Sequence, residues 1–180
     1  YFRNKFTFLN KNKKFDKIDW EFLEYGKLWN YHLHYFDYLN QVNMDKSDGV
    51  KLIHNYIKNF KCKKINKDPY PTSVRLINWI KFLSEYQIND DLINNYILND
   101  SLLLYDNVEY HLMGNHVLEN AFSLLFSSYF LKNIKLYRYS RRILYKELEE
   151  QILSDGAHFE LSTMYHQIIL YKLFDKDLTF

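Results

Sequence analysis

Two pairs of side chains in this sequence have the chemistry to neutralise an anion and move a proton. Asn115-His116 sets an amide beside an imidazole, directly after Gly114. Tyr165-His166 sets a phenol beside an imidazole, shortly after the Asp155-Gly156 loop and Ser162. Each pair precedes or opens an apolar run of helical period: Val117, Leu118, Ala121, Phe122, Leu124 and Leu125 after the first, and Ile168, Ile169 and Leu173 after the second. Asn and Ser are among the preferred residues at helix starts, and glycine permits a sharp turn. Both pairs are therefore expected at the positive end of a helix, where an anionic ligand is favoured. If the two helix starts face one end of the molecule, the amide, the imidazoles and the phenol meet in a cleft suited to a carboxylate-bearing substrate. The alternative is a helix cap with a core histidine behind it, and a first-turn tyrosine that only packs.

The elements that must position these pairs are helices. Trp29, Leu33, Phe36 and Leu39 predict a helix over about Leu28 to Leu39, on which His32 and His34 point in different directions. Val50, Ile53, Ile57 and Phe60 predict another from Asp48 to Phe60. Lys61 to Asp68 reads as a basic, exposed link, and Pro69-Tyr70-Pro71 as a break, with Thr72 or Ser73 capping the next helix. Further helices are expected from Asp90 to Tyr105, Asn115 to Phe130, Leu136 to Leu153, and from Ser162 onward. The first 18 residues alternate aromatic and polar without helical period, and are expected as an extended arm packed through Phe6, Phe8 and Phe15. No convincing strand alternation stands out. The expected architecture is all-α, in antiparallel helical hairpins joined by short links.

Composition narrows the function classes. A hydrophobic fraction of 47% over 180 residues suits one globular core. A net charge of +2, from 24 basic and 22 acidic residues, argues against nucleic acid. The lone Cys62 excludes an intrachain disulfide framework and a cysteine-rich zinc site. No apolar run approaches the ~20 residues needed to span a bilayer, and no signal peptide is visible. The first residue is Tyr1, which leads us to expect a piece of a longer chain or a processed form. The outlier is aromatic content, with 17 Tyr and 14 Phe: many must be core, and a surplus of tyrosine also suits a cleft that stacks sugar rings. The Asn, Lys and Ile richness reads more simply as base-composition bias.

Four ordered blocks carry a resemblance. They are Asp19-Trp20 with L-W-N-Y-H-L-H-Y-F-D-Y-L (Leu28 to Leu39), P-Y-P-T-S-V-R-L-I-N-W-I (Pro69 to Ile80), E-Y-H-L-M-G-N-H-V-L-E-N-A (Glu109 to Ala121), and E-E-Q-I-L-S-D-G-A-H-F-E-L-S-T-M-Y-H (Glu149 to His166). Together they resemble the N-terminal helical domain of the heparinase II/III family of polysaccharide lyases and related alginate lyases. The resemblance implies an incomplete (α/α) toroid, with residues 19–180 as part of it, joined in the family to a C-terminal β-sandwich that this chain does not contain. It also implies β-elimination on a uronic-acid polysaccharide. Carried over by position, Asn115 resembles the asparagine that neutralises the uronate carboxyl. His116 resembles the histidine paired with it, and Tyr165 the tyrosine that protonates the leaving oxygen. Preorganised donors act where charge develops, and a positioned phenol or imidazole moves the proton.

Weaker candidates line the same region. Arg75 is a candidate fork for a second uronate or a sulfate, with a structural ion pair as its alternative. His158 and His166 are candidates for the cleft wall, and Glu160 for orienting a neighbouring donor. Trp29, Trp79 and Tyr35 are better read as core than as sugar platforms. His116 and Glu119 form H-x-x-E, without a second copy and without H-E-x-x-H, so no metal and no cofactor is expected. The expected partner is an acidic polysaccharide, and the expected location is periplasmic or extracellular. The competing readings are a non-catalytic glycan-binding or polysaccharide-biosynthesis toroid, and a helical scaffold for protein partners.

Overall fold

In a computed structural model of the chain, residues 4–59, 68–112 and 115–174 are described. The proposed turn at Gly114 and the basic link, apart from Asp68, lie outside them. A hairpin of strands β1 (Lys5–Phe8) and β2 (Lys11–Lys14) precedes seven helices: α1 (Lys27–Tyr35), α2 (Lys46–Asn59), α3 (Pro69–Glu85), α4 (Asp91–Asp106), α5 (Asn115–Phe130), α6 (Ile134–Gln151) and α7 (Thr163–Leu173). The all-α expectation therefore holds for the body of the chain.

The N-terminal arm differs from its extended expectation. Lys5 pairs with Lys14 and Phe8 with Lys11, so the arm folds back on itself as an antiparallel hairpin. The two turn residues Leu9 and Asn10 have φ of 51° and 59°, the left-handed pair that a two-residue hairpin turn requires. Phe6 is buried and its ring stands 5.1 Å from Tyr38, while Phe8 meets Trp29 at 5.1 Å. The aromatic–polar alternation was the strand signal. Neither turn residue is glycine, which hid the hairpin.

Two helix boundaries also moved. The expected helix from Leu28 to Leu39 ends at Tyr35, because Phe36 turns left-handed at φ 57° before a 3-10 turn over Asp37–Asn40. A left-handed non-glycine residue costs about 1–2 kcal/mol, whereas burying a phenylalanine stabilises by about 1.5–3 kcal/mol. Phe36 is fully buried, with ring neighbours Trp20 at 5.3 Å, Tyr56 at 5.2 Å and Trp79 at 5.2 Å. Burial wins. The helix expected to be capped by Thr72 or Ser73 instead starts at Pro69, with Asp68 as its N-cap residue. Proline lacks an N–H that the first turn would leave unpaired anyway, so Pro69 and Pro71 open α3 rather than break it. Ser162, by contrast, caps α7 as expected, its hydroxyl accepting from the Tyr165 N–H.

α3 and α5 form the centre of the helical array: α1 packs on α3, α3 on α5 and α5 on α6, while α4 packs on both α3 and α5 and carries α2. Central position shows in burial: α5 is buried around most of its circumference, from Val117 to Ser128. Trp29 and Trp79 are both fully buried, in keeping with a core role. Among the described residues, no helix is long and apolar enough to cross a membrane.

Candidate functional site

Tyr70, in the first turn of α3, is the hinge of the site. Its ring lies 4.6 Å from the His116 imidazole and 6.3 Å from Tyr35 of α1. Burial pushes its phenol well above the ordinary tyrosine range, and the nearby Glu119 carboxylate, the phenols of Tyr35 and Tyr165, and Glu109 add to the effect. The first turns of α3 and α5 thus meet through the Tyr70 and His116 rings, and the Tyr165 phenol of α7 contributes to the electrostatic surroundings of Tyr70.

Asn115 is the first residue of α5 and is half-buried. His116 follows it, about one-third exposed, with Nδ1 3.2 Å from Glu109 Oε2. Glu109 is itself held from behind. Its backbone N–H donates to Asn120 Oδ1 at 2.9 Å, and Asn120 Nδ2 donates to Ser73 Oγ at 3.0 Å and reaches Glu109 Oε2 at 3.5 Å. Asn120 and Ser73 are fully buried, so each finds its partner within the protein, as buried polar groups must.

Tyr165 is half-buried in the first turn of α7. Tyr165, Ile169 and Lys172 recur at helical spacing, which places them on one face. That face meets α5: Ile169 is buried, and Lys172 forms an ion pair with the buried Glu119 while its ammonium stands 6.0 Å from the Phe122 ring. This pair anchors the helix that carries Tyr165. Further out, Tyr35 lies 6.4 Å from Tyr31, whose hydroxyl donates to Asp68, and Lys27 holds the same carboxylate at 3.0 Å. Burial raises the Tyr35 phenol to about 12, so it stays protonated.

The remaining candidates are placed less favourably. Arg75 is 2% exposed, donates to Asp100 Oδ2 at 2.7 Å and to Thr72 Oγ1 at 3.3 Å, and lies 5.2 Å from the Tyr56 ring. Of the two readings of Arg75, a fork for an anionic sugar and a structural ion pair, the structure shows the ion pair, and a sealed guanidinium cannot reach a polymer. His158 is also buried, with Nε2 3.1 Å from Gln151 Oε1 and Nδ1 accepting from the Glu160 N–H at 3.4 Å. Burial lowers its pKa, and both ring nitrogens are spent, one on Gln151 at the end of α6 and one on the backbone of the following loop. It meets Tyr165 only ring to ring, at 6.2 Å. His166 lines a surface cavity of about 510 Å³ together with His158, Ser162 and Gln167. Glu160 is exposed, and its bond to His158 is made by its backbone.

Tyr70 and Glu109 do not stand out in the sequence, and Glu119 does so only as half of H-x-x-E. The flanking Pro69 and Pro71, which read locally as a break, mask Tyr70. Glu109 and Lys172 are brought in by the tertiary fold, and nothing in their local spacing marks them. Among the described residues there is no group of three His, Cys, Asp or Glu side chains able to hold a metal ion.

No curated protein and no solved structure matches the chain. The family model described as Heparinase II/III N-terminus matches residues 72–176, which takes in α3 from its fourth residue through α7, with all three first-choice site residues. The block from Asp19 to Leu39 lies ahead of that match. With more than half of its length matched, this chain belongs to the heparinase II/III N-terminal family, a helical domain related to polysaccharide lyases.

Proposed function

We propose that the chain is the helical, substrate-facing part of a lyase that cleaves uronic-acid-containing polysaccharide by β-elimination. The observation that carries the reading is the junction at Tyr70, whose ring packs 4.6 Å from the His116 imidazole of α5 and whose phenol is electrostatically coupled to that of Tyr165 on α7. In this reading Asn115 donates to the uronate carboxyl and stabilises the charge that builds when the C5 proton leaves. His116 acts beside it in the proton transfer, and the Tyr165 phenol delivers a proton to the C4 leaving oxygen. The tyrosines Tyr31, Tyr35 and Tyr70 supply apolar faces with polar tips, suited to sugar rings. The succession of contacts from α1 to α3 and from α3 to α5 supports reading these helices as part of an incomplete (α/α) toroid. A polymeric acidic substrate places the protein in the periplasm or outside the cell.

The test is to incubate the protein with heparan sulfate, alginate and capsular glycans and follow the ultraviolet absorbance of the conjugated, unsaturated uronate that β-elimination creates. Tyr165→Phe should abolish turnover with an unchanged fold, since only a hydroxyl is removed. Glycan binding without new absorbance would favour a carbohydrate-binding role over catalysis. A flat trace and no binding across the panel would overturn the proposal.

A further inference from the structure

We propose that Glu109 is the positioning residue for His116, fixing its tautomer so that Nε2 is the working nitrogen. An ionised carboxylate can only accept hydrogen bonds. The 3.2 Å contact between Glu109 Oε2 and His116 Nδ1 therefore requires Nδ1 to carry the hydrogen. The neutral ring then keeps its free lone pair on Nε2, which has no hydrogen-bond partner among the described residues. Which nitrogen of an imidazole is protonated is set by the bond that the other nitrogen makes.

Three features make Glu109 a support rather than a chance neighbour. Its side chain is 7% exposed against 35% for His116, so the acid sits behind the ring and the ring faces the accessible side. It is braced from two elements, through Asn120 of α5 and, by way of Asn120, Ser73 of α3. The Tyr70 ring packs on the imidazole with centroids 4.6 Å apart, which restricts its rotation. A buried carboxylate so held also stabilises an imidazolium as it forms, which is what a base taking a proton needs. The catalytic consequence rests on the lyase reading; the tautomer does not.

The test reads the tautomer directly. In ¹⁵N-labelled protein at alkaline pH, two-bond ¹⁵N–¹H correlations distinguish the two neutral forms, and the His116 signals are assigned by their loss in His116→Asn. The expected result is the Nδ1–H form in the unaltered chain. Glu109→Met, which keeps the volume and removes the acceptor, should shift His116 toward the Nε2–H form, and Glu109→Asp should restore part of the Nδ1–H population. With a glycan that the unaltered protein cleaves, Glu109→Met should lower kcat by on the order of 100-fold with KM little changed. An Nε2–H signal in the unaltered chain overturns the proposal even if no variant folds. A tautomer unmoved in folded Glu109→Met, or full kcat in it, overturns it as well. Absence of any glycan cleavage alongside an Nδ1–H signal would overturn the lyase reading and leave the role of Glu109 standing.

Discussion

His34 shows how strongly one position can be committed to structure. It sits on α1 next to half-exposed His32, yet it is buried, with Nε2 2.8 Å from the Trp20 carbonyl and Nδ1 3.2 Å from the Tyr56 hydroxyl. Burial lowers its pKa to about 3, the Arg75 charge pushes the same way, and the Trp20 carbonyl only partly opposes them. The ring is therefore neutral, donating from Nε2 and accepting at Nδ1. The unfolded chain takes up this proton near pH 6.5, and the folded chain does not until about pH 3. The unfolded state thus binds more protons in that window, and acidification favours it. Above pH 6.5 the contribution to pH dependence vanishes. Denaturant titrations should lose on the order of 2–3 kcal/mol through this residue between pH 6.5 and about 4.5, and His34→Asn should flatten the slope. An equal slope in the variant would refute the assignment. His116 belongs to the opposite class: it is one-third exposed and paired through Nδ1 alone among the described residues.

Helix contacts set the distances on which the site depends. Where α2 crosses α3, Gly49 faces Phe82 so closely that an added Cβ would stand 2.2 Å from the Phe82 ring. Phe82 is 1% exposed and has nowhere to turn. Gly49→Ala should therefore cost about 1–3 kcal/mol by overpacking, although alanine is the better helix former by about 1 kcal/mol. The sign of the measured change in Tm decides between steric contact and propensity. The glycine was visible in the sequence as an exception within a helical run, but the ring above it was not. Pro69 and Pro71 teach the complementary lesson. Read locally they end a helix, but at the first turn they begin one, and this carries Tyr70 into the site.

Across the whole molecule, stability is unevenly spread. α3 and α5 are buried over much of their lengths, while α7 buries only Ile169. Elements with few buried apolar contacts open most readily. Amide exchange should accordingly be fastest in α7 among α3, α5 and α7. Its main electrostatic anchor is Lys172 on Glu119, whose carboxylate is 5% exposed and has its second oxygen unpartnered. Lys172→Ala would leave a buried charge without its partner, at a cost on the order of 3 kcal/mol. Hydrogen–deuterium exchange should then rise in α7 and stay unchanged in α3. Equal loss of protection in both would mean that α7 is part of one cooperative unit. In the lyase reading, the same variant lowers turnover by releasing Tyr165.

The periodic placement of Leu, Ile, Val and aromatic residues was enough to write down seven helices, and the Asn115 and Ser162 junctions were legible as helix starts, because propensity and capping act within a few residues of the chain. The family resemblance was legible for the same reason: blocks such as Glu109 to Ala121 are local strings. What no local string contains is which distant side chains become neighbours. Packing of α3 on α5 turned Ser73, Asn120 and Glu109 into a brace behind His116, and packing of α3 on α4 drew Arg75 inward to Asp100. Burial and pairing are properties of the assembled core, and only the tertiary structure decides them.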